Sequence, residues 1–396
     1  CNFGTEYEVC RLAKKLNVPV LLWGPRDECP DENGMRLRDS QCGLFATGKV
    51  LRRFGIPFTY LKNCNLEDEC FAEGIDRFLR VCNVVKAFRN TRVLQISTRP
   101  FDFWSTMCNE GELLEKFGIQ LSPIPMPELT QAMKDVKENS PEEIKEVTDY
   151  CREKMCIKVT PEQLDNVAAL KIAMTRLGKK YGCNCGAIQC WNALQDEIGI
   201  MPCAANALCN DEGFPIACET DIHGTITSVL VEAAAMGETR SFFADWTVRH
   251  PYNDNAELLQ HCGPWPISIA KEKPTIDTPV AFDCSGSLMA QAKDGEHISL
   301  VRFDGDNGEY SLLLGNAKTV DGPYTKGTYM WVEVENLDRL EDKLVQGPYI
   351  HHCVGVHQDV VPVLYEACKY IGVTPDLYDP IEEKVKAIIR GEKVEK

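Results

Sequence analysis

Helical and buried-strand patterns alternate along the first part of the chain, and this alternation constrains the fold more than any other feature. EVCRLAKKL has apolar residues at helical spacing, VPVLLWG is an apolar run of strand length, and SQCGLFATGKVLRRFG returns to helical spacing. The alternation restarts at Val93–Ile96 and includes a helix predicted to begin after Thr160, with Pro161 at its first position and Gly182 beyond its end. Strands that alternate with helices in this way indicate parallel sheets covered by helices.

The pattern changes near residue 275. TPVAFDCSGSL, HISLVRFDGDNGEYSLLLGNAKTV and GTYMWVEVEN are typical of strands joined by turns rich in Gly, Asp and Asn. The prediction is an α/β chain with two Rossmann-like parallel-sheet domains and a C-terminal antiparallel β-barrel-like domain. The predicted domains are an N-terminal α/β domain (1–91), a central α/β domain with the carboxylate ligands (92–275) and the barrel-like domain (276–396). The final helix, VVPVLYEACKYIG, is expected to dock on the central domain, and the first domain is expected to be truncated at its start.

Composition excludes several classes of function. Lys and Arg number 43 against 59 Asp and Glu, a net charge of −16, so a nucleic-acid-binding surface is not expected. No apolar run is long enough to span a membrane. The chain also lacks a phosphate-binding Gly-rich loop and a GxSxG elbow, which disfavours NTPases and α/β-hydrolases. The 20 scattered cysteines favour reduced thiols in a cytoplasm, and CNCGAIQC (Cys183, Cys185 and Cys190) lacks a fourth ligand for a zinc or iron–sulfur site.

Two carboxylates follow apolar runs near the middle of the chain. Glu219 comes after PIAC, and Asp245 comes after SFFA. A charged group at the end of a buried strand is costly unless it is paired or bound to a metal. A helix-length segment separates the two, which predicts a βαβ unit whose parallel strands bring both carboxylates to one rim. Asp221 is expected to be the N-cap of that helix, and His223 and His250 are expected to be polar loop residues rather than ligands.

The histidines concentrate in two windows. Of seven in the chain, His261 lies in LQHCGPWP, and His351 and His352 lie in YIHHCVGV. Two carboxylates with one or two imidazoles form a site that suits Mn²⁺, and also Fe²⁺, Co²⁺ or Zn²⁺. The residues therefore predict a metal site built on Glu219 and Asp245, with the choice of histidines left open.

These motifs carry a resemblance to a known family. ACETDIHG, FFADW, LQHCGPWP and YIHHCVGVHQD occur in the order and spacing of the L-fucose isomerase and L-arabinose isomerase superfamily, and the chain resembles its shorter, fucose-isomerase-like members. The stretches NFGTEYEVCRLAKKLNVPVLLWG and ISTRPFDFW resemble the family's N-terminal domains. The resemblance implies Mn²⁺ in a deep pocket, held by Glu219 and Asp245. It implies a further ligand at His261, as in the arabinose branch, and one at His351 or His352, with His352 favoured.

The resemblance also implies an activity. We expect an aldose–ketose isomerase that converts a pentose, a hexose or a deoxy or anionic sugar through a cis-enediol. Glu219 and Asp245 would be both metal ligands and the acid/base pair, and the sequence does not decide which is the base. The alternatives are a metal-dependent sugar (phosphate) aldolase or another enediolate enzyme on the same scaffold, or a non-catalytic sugar-binding protein.

Aromatic, Arg and Gln side chains near these motifs are candidates for the wall of a sugar pocket, because aromatic faces stack on sugars and polar groups bind hydroxyls. Six residues are predicted to face the substrate: Arg99, Trp104, Gln189, Trp191, Trp246 and Arg249. Arg249 would also suit a sulfonate or phosphate on the sugar. The sequence does not name the sugar. Members of the superfamily are commonly trimers or hexamers, so the resemblance implies a homo-oligomer.

Overall fold

The computed structural model describes residues 4–279 and 283–394. Within them, contacts group the chain into two compact units. The first unit contains the residues up to Lys86, the segment Val361–Thr374 and the residues from Pro380 onward. The second unit contains Ala87–Val360 and Pro375–Asp379. The predicted strand TPVAFDC falls partly on residues 280–282, which lie outside the described residues.

Helices account for much of both units. The described helices are α1 (Glu6–Leu16), α2 (Ser40–Arg53), α3 (Glu69–Arg89), α4 (Glu110–Glu112), α5 (Met126–Asn139), α6 (Pro141–Lys154), α7 (Pro161–Tyr181), α8 (Ala193–Ile198), α9 (Cys203–Asp211), α10 (Ile222–Ala234), α11 (Leu337–Gln346), α12 (Val361–Ile371) and α13 (Glu382–Ile389). A π-helical turn, Leu113–Phe117, continues α4, and short 3₁₀ turns occur at Trp104–Thr106 and Ile267–Ile269. Among the described helices, none is long and apolar enough to cross a membrane.

The strands are short in the N-terminal half and longer after residue 240. They are β1 (Leu21–Leu22), β2 (Thr59–Tyr60), β3 (Arg92–Ile96), β4 (Gln120–Ile124), β5 (Cys156–Ile157), β6 (Cys185–Ile188), β7 (Ile216–Ala217), β8 (Phe242–His250), β9 (Asn253–His261), β10 (Thr275–Asp277), β11 (Ser287–Gln291), β12 (Ile298–Asp306), β13 (Glu309–Val320), β14 (Thr328–Glu333), β15 (His352–Val356) and β16 (Thr374–Asp379).

The first unit has a small parallel sheet. β1 and β2 pair in parallel, as the βα pattern predicts. The core beneath α1 and α2 is formed by five buried side chains: Cys10, Ala13, Leu22, Leu44 and Leu51. The final helices belong to this unit, because the Tyr370 hydroxyl on α12 lies 2.9 Å from Thr59 Oγ1 and donates to the Val20 carbonyl. The prediction places α12 on the central segment, whereas these hydrogen bonds join it to the first unit.

The second unit begins with a four-stranded parallel sheet in the order β4-β3-β6-β7. Helix α7 packs on it and has the predicted ends. Thr160 caps the helix through a hydrogen bond to Gln163 N–H, Pro161 occupies the first turn, and Gly182 takes the left-handed conformation that ends it, with φ 65°. The carboxyl ends of β3, β6 and β7 form one rim of this sheet.

The same unit contains a closed antiparallel barrel. Its six strands follow one another around the barrel as β12, β13, β14, β9, β8 and β15. The mixed α/β class with a terminal barrel is therefore confirmed, but the barrel begins at β8 rather than after residue 275. Asp245, on β8, lies in the barrel, whereas Glu219 follows β7 of the parallel sheet. The predicted βαβ unit is wrong.

The reason lies in the helix that joins the two sheets. Nearly every residue of α10 is buried, and the helix contacts β6 and β7 on one side and β12 and β15 on the other. A helix buried all round separates two layers instead of returning the chain to the first sheet. Its N-terminal end lies where the rim of the parallel sheet approaches the barrel, and the predicted site residues gather there.

Candidate metal centre

Backbone strain marks the rim of the parallel sheet. Four non-glycine residues that follow its strands have positive φ: Ser97 at 66°, Asn192 at 61°, Glu219 at 60° and Thr220 at 52°. Non-glycine residues rarely adopt this region, least of all a β-branched threonine. Such strain persists where the surrounding structure fixes it, and it concentrates at functional sites.

Glu219 is held at this rim by its backbone. Its N–H donates to Cys190 Sγ at 3.3 Å, and its carbonyl accepts from the Thr106 hydroxyl at 3.5 Å. The neighbouring Thr220 hydroxyl donates to the Thr98 carbonyl at 3.0 Å. The left-handed turn after β7 therefore fixes the backbone position from which the Glu219 side chain extends. Only 5% of the residue is exposed.

The barrel supplies the partners of Glu219 from three adjacent strands. Asp245 on β8 is in register with His352 on β15 and with Gln260 on β9. His261 follows Gln260 and ends β9. Cross-strand register thus brings Asp245 and His352 to one face of the barrel. His261 lies beside them at the end of its strand, with Nε2 3.9 Å from Asp245 Oδ1.

Four potential ligand atoms converge between these elements. Glu219 Oε2 lies 3.0 Å from His352 Nε2, which lies 3.4 Å from Asp245 Oδ1, and Asp245 Oδ1 lies 3.9 Å from His261 Nε2. All four atoms are buried, yet none makes a hydrogen bond with the described residues. Buried polar atoms are rarely left unpaired. Because His352 Nε2 lies close to carboxylate oxygens of both Glu219 and Asp245, the arrangement fits a bound cation.

Two overlapping residue sets satisfy the requirement that ligand atoms lie close together. Glu219, His261 and His352 have ligand atoms within 4.8 Å of one another, as do Asp245, His351 and His352. His352 is common to both sets and is fully buried, whereas His351 is exposed. Carboxylate oxygens and imidazole nitrogens together suit Mn²⁺, Fe²⁺, Co²⁺ or Zn²⁺. The structure therefore shows residues that can hold a metal ion without identifying the metal.

The two buried histidines differ in their hydrogen bonding. His352 Nδ1 lies 2.8 Å from Asp221 Oδ2, so the proton of the neutral ring lies on Nδ1 and Nε2 presents a lone pair. His261 Nδ1 instead accepts from the Cys262 N–H at 2.9 Å, which places the proton of the neutral ring on Nε2. His352 is thus arranged as a ligand and His261 as a donor. Metal binding through His261 Nε2 would require loss of the Cys262 contact.

A buried network supports His352 from behind. Asp221 is the N-cap of α10, as predicted, and accepts from Gly224 N–H at 2.9 Å. It also binds the guanidinium of Arg302, a fully buried residue on β12. Arg302 in turn contacts Asp304, whose Oδ1 lies 2.9 Å from His223 Nδ1. His223 is therefore a buried member of this network rather than a loop residue.

Sequence reasoning missed Arg302. The available signal was its position in HISLVRFDGD, where a charged side chain follows a run of apolar residues in a strand. A fully buried Arg requires a carboxylate partner. A buried Arg in a strand therefore indicates that a carboxylate from another part of the chain is buried next to it.

Burial and charge oppose each other in the pKa values of this network. Burial alone would raise the pKa of Asp221, but Arg302 and His352 outweigh it and hold the pKa below its usual value. The pKa of Glu219 is likewise lowered, because its interaction with His352 outweighs burial. For His352, burial lowers the pKa, but Asp221 and Glu219 raise it to about 10. The two carboxylates thus favour a proton on His352 in the metal-free protein, and a metal bound at Nε2 would displace it.

Four of the six predicted substrate residues lie on loops of the same rim. Gln189 accepts from the Ser97 hydroxyl at 2.8 Å, joining the loops that follow β6 and β3. Trp191 packs edge-to-face on Phe103 with ring centroids 5.1 Å apart. In the loop after β3, Arg99 donates to the carbonyls of Pro100 and Phe101, and 68% of Trp104 is exposed. The structure therefore brings these four residues to the edge that carries Glu219.

The other two predicted substrate residues lie elsewhere. Trp246 packs in the barrel core with Phe242 and Ala244, because alternation along β8 turns it away from the face that carries Asp245. Arg249 lies four residues beyond Asp245 on β8, and its guanidinium binds Glu341 and Asp338 at the surface. Neither side chain lies on the rim that carries Glu219, because position near a motif does not decide which face of the strand, or which part of it, a side chain occupies.

The dense cysteine group has a structural explanation. The thiols of Cys183 and Cys185 lie within reach of the Tyr181 and Arg92 carbonyls, and Cys190 accepts from Glu219 N–H. Burial raises the pKa of Cys190 to about 11, so its thiol stays protonated. A separate group in the first unit, Cys64 with Asp68 and Cys70, also brings ligand atoms within 4.8 Å of one another.

Comparison with known proteins gives an independent line of information. Residues 1–89 match the family described as fucose/sulfoquinovose isomerase, N-terminal domain. The sulfoquinovose isomerase of Priestia megaterium (strain ATCC 12872 / QMB1551) is 25% identical over 384 residues, which cover 95% of this chain and 84% of that protein. The sulfoquinovose isomerase of Alkalicoccus urumqiensis is 24% identical over 357 residues, covering 89% of this chain and 79% of that protein. That of Clostridium sp. (strain MSTE9) is 25% identical over 273 residues, covering 68% and 59%.

Proposed function

From the premise that this chain belongs to the fucose isomerase-like family, we propose that it is a metal-dependent aldose–ketose isomerase acting on an anionic hexose. The observation that carries the metal dependence is that His352 Nε2 lies between carboxylate oxygens of Glu219 and Asp245, and that these three buried atoms make no hydrogen bonds with the described residues. The relatives, which are named as sulfoquinovose isomerases, support the reaction class.

We propose Glu219, Asp245 and His352 as the ligands of a Mn²⁺ ion. Two carboxylates with one imidazole favour Mn²⁺ over softer metals, and Asp221 orients His352 as a carboxylate does behind many histidine ligands. When bound, the ion would supply Lewis-acid polarisation of the sugar carbonyl. The Nε2–H of His261 would donate a hydrogen bond to an oxygen held in the same space.

The chain's own carboxylates would move the proton of the reaction. Glu219 and Asp245 flank one space, and the Asp245 side chain is 27% exposed, so a substrate can reach it. One carboxylate would remove the proton from C2 of the open-chain sugar while O1 takes up a proton, which gives a cis-enediol. A proton would then return at C1 as the O2 hydroxyl releases its own, which gives the ketose. Positioned acid–base groups of this kind contribute roughly 10²–10⁴ in rate.

We propose a sulfonated hexose as the substrate class. The relatives are named for sulfoquinovose, a hexose with a sulfonate in place of its 6-hydroxyl, and such a group calls for a cation near the site. Arg99 suits this role better than Arg249, because Arg99 lies on the rim that carries Glu219. Arg249 is occupied by Glu341 and Asp338.

The test is an isomerisation assay on metal-stripped protein with and without added Mn²⁺. Sulfoquinovose and its unsulfonated counterparts would be compared in deuterated water. We expect Mn²⁺-dependent formation of the ketose, faster for the sulfonated sugar, with deuterium at C1 of the product. Cleavage to shorter products would instead indicate an aldolase, and complete absence of deuterium at C1 would contradict the enediol route.

Glu219→Gln is the variant that tests the catalytic assignment. The amide cannot act as a base and is a poorer ligand, so we expect turnover to fall by at least about 10³. The matched control is Glu212→Gln, a surface residue paired with Lys171, which should keep wild-type turnover. Substantial activity in the Glu219 variant would remove that residue from the mechanism.

We also propose a homo-oligomer in a reducing cytoplasm. Several large apolar side chains near the rim are exposed: Phe101, Trp104, Met107 and Leu114. Large exposed apolar side chains this close in sequence favour an interaction surface over ordinary solvent exposure. All cysteines within the described residues are free thiols, which supports a reducing compartment. Sedimentation analysis should show a trimer or hexamer, and a monomer at micromolar concentration would contradict the assembly.

A further inference from the structure

We propose that Arg302 is a positioning residue that controls metal affinity by holding Asp221 against His352. The proposal rests on the metal centre proposed above but not on the isomerase activity. Arg302 does not reach the cluster of ligand atoms, and its effect passes through two hydrogen-bonded neighbours. The order of contacts is Arg302 to Asp221, Asp221 to His352 Nδ1, and His352 Nε2 to the cluster.

Both carboxylate oxygens of Asp221 accept hydrogen bonds from defined donors. Its Oδ1 accepts from Gly224 N–H at 2.9 Å and from Arg302 Nη2 at 3.1 Å. Its Oδ2 accepts from Arg302 Nη1 and from His352 Nδ1, the latter at 2.8 Å. The two oxygens therefore accept four hydrogen bonds, which is the full capacity of a carboxylate. A buried carboxylate saturated in this way has one orientation, and that orientation sets the plane of the His352 ring.

Arg302 is itself fixed by a second carboxylate. Its Nε lies 2.9 Å and its Nη2 lies 2.8 Å from Asp304 Oδ2. Asp304 is held in turn by Gly305 N–H and by His223 Nδ1, each at 2.9 Å. The guanidinium therefore spans two carboxylates in one plane. Lysine cannot reproduce this, because its ammonium is a point charge without the planar fork.

The geometry separates a positioning role from a merely structural one. Asp221 lies between Arg302 and the metal ligand, whereas Asp304 lies on the far side of Arg302. Removing the Asp304 charge weakens one side of the guanidinium but leaves both Asp221 and the groups that bond it to His352. Removing the guanidinium leaves Asp221 free to turn away from His352 Nδ1. A structural role predicts similar losses of metal affinity from both changes, and a positioning role predicts unequal ones.

The experiment measures the Kd for Mn²⁺ by calorimetric titration of metal-stripped protein at one fixed pH. We expect Arg302→Lys to weaken binding by roughly 10–100-fold, the range seen when groups behind a metal ligand are changed. Asp221→Asn should weaken it by a similar factor, and the double variant should be little weaker than Asp221→Asn alone, because both act through one contact. Asp304→Asn should cause a clearly smaller loss.

Arg240→Lys is the matched control. Arg240 also pairs with a carboxylate, Glu232, which lies toward the other end of α10. This variant should bind Mn²⁺ with wild-type affinity. Wild-type affinity in Arg302→Lys would overturn the proposal, and so would equal losses in Arg302→Lys and Asp304→Asn.

If Arg302→Lys does not fold, the test uses Asp221→Asn and Asp304→Asn. Equal losses of Mn²⁺ affinity in these two variants would again overturn the proposal. Wild-type protein that binds no Mn²⁺ would overturn it as well. Tight Mn²⁺ binding without isomerisation of any sugar would instead refute the proposed function and leave the role of Arg302 standing.

Discussion

Two arginines on the barrel each bind a pair of carboxylates, but in opposite environments. Arg302, on β12, binds Asp221 and Asp304 with almost no exposed surface on its side chain. Arg249, on β8, binds Glu341 and Asp338 with 45% of its side chain exposed. The chemistry of the two groups is the same, and their surroundings decide what each can do.

Burial changes the consequence of losing a partner. A solvent-exposed ion pair adds little to the free energy of unfolding, because water can replace either partner at low cost. The charges of a buried ion pair are already desolvated, so removing one partner leaves the remaining charge buried and unpaired. Arg302 and its two carboxylates can therefore fix the geometry of His352, whereas Arg249 and its partners only cover part of the surface near α11. The comparison predicts different responses to the same substitution.

The largest effect is expected for Arg302→Met. This change leaves Asp221 and Asp304 as two buried carboxylates without their cation, so we expect a loss of about 3–5 kcal/mol in the free energy of unfolding. Urea denaturation in the presence of a chelator would measure it, because the chelator removes any contribution from bound metal. A loss below about 1 kcal/mol, the range of exposed pairs, would remove the distinction between the two arginines.

Much of the candidate metal centre was predictable because charge at the end of an apolar run is a strong signal. Glu219 and Asp245 both follow such runs, and the structure places both at one cluster with His352. Asp221 was predictable as an N-cap because a helix pattern begins directly after it. In each case the physical cause lies within a few residues of the chain.

The errors have a common origin in long-range geometry. The helix-length spacing between Glu219 and Asp245 fits a return to the same sheet, and it fits equally well a crossing to a second layer. Arg302 was overlooked because Asp221 becomes its neighbour only when β12 packs on α10. Arg249 was predicted to face the substrate because it lies near the motif of Asp245 in sequence, but its place on β8 carries it to the surface. Local pattern does not contain these contacts.

A third charged group sharpens the comparison. Glu257 on β9 faces Arg249 in the strand register, yet Arg249 binds Glu341 and Asp338 instead. Burial, with a contribution from Glu341, raises the pKa of Glu257 to about 7, and Arg249 lowers it only in part. Asp221 and Glu257 are thus two buried carboxylates, one with an arginine bound to it and one without.

Glu257→Gln should therefore stabilise the protein at alkaline pH. Between the ordinary carboxyl pKa of about 4.3 and about 7, the folded state holds a proton that the unfolded state has released. Stability consequently falls as pH rises through this window and stays low above it. We expect the variant to gain about 2 kcal/mol at pH 8, with the gain disappearing toward pH 4.

Urea denaturation at several pH values would measure this gain. Glu333→Gln, on the adjacent strand β14, is the control, because Glu333 pairs with Lys318 and Asn253 and its pKa is lowered. It should show no gain at pH 8. A pH-independent effect of Glu257→Gln would mean that this carboxylate is ionised in the folded protein.

The smallest effect is expected for Arg249→Met. Solvent and salt already screen the contacts of Arg249 with Glu341 and Asp338, so we expect no measurable change in the free energy of unfolding at physiological ionic strength. Its one detectable consequence should appear at Glu257. Loss of the Arg249 charge removes an influence that lowers the pKa of Glu257, so the pH window over which Glu257→Gln stabilises the protein should move upward when both substitutions are combined. If Arg249→Met were as destabilising as Arg302→Met, burial would not be what separates the two arginines.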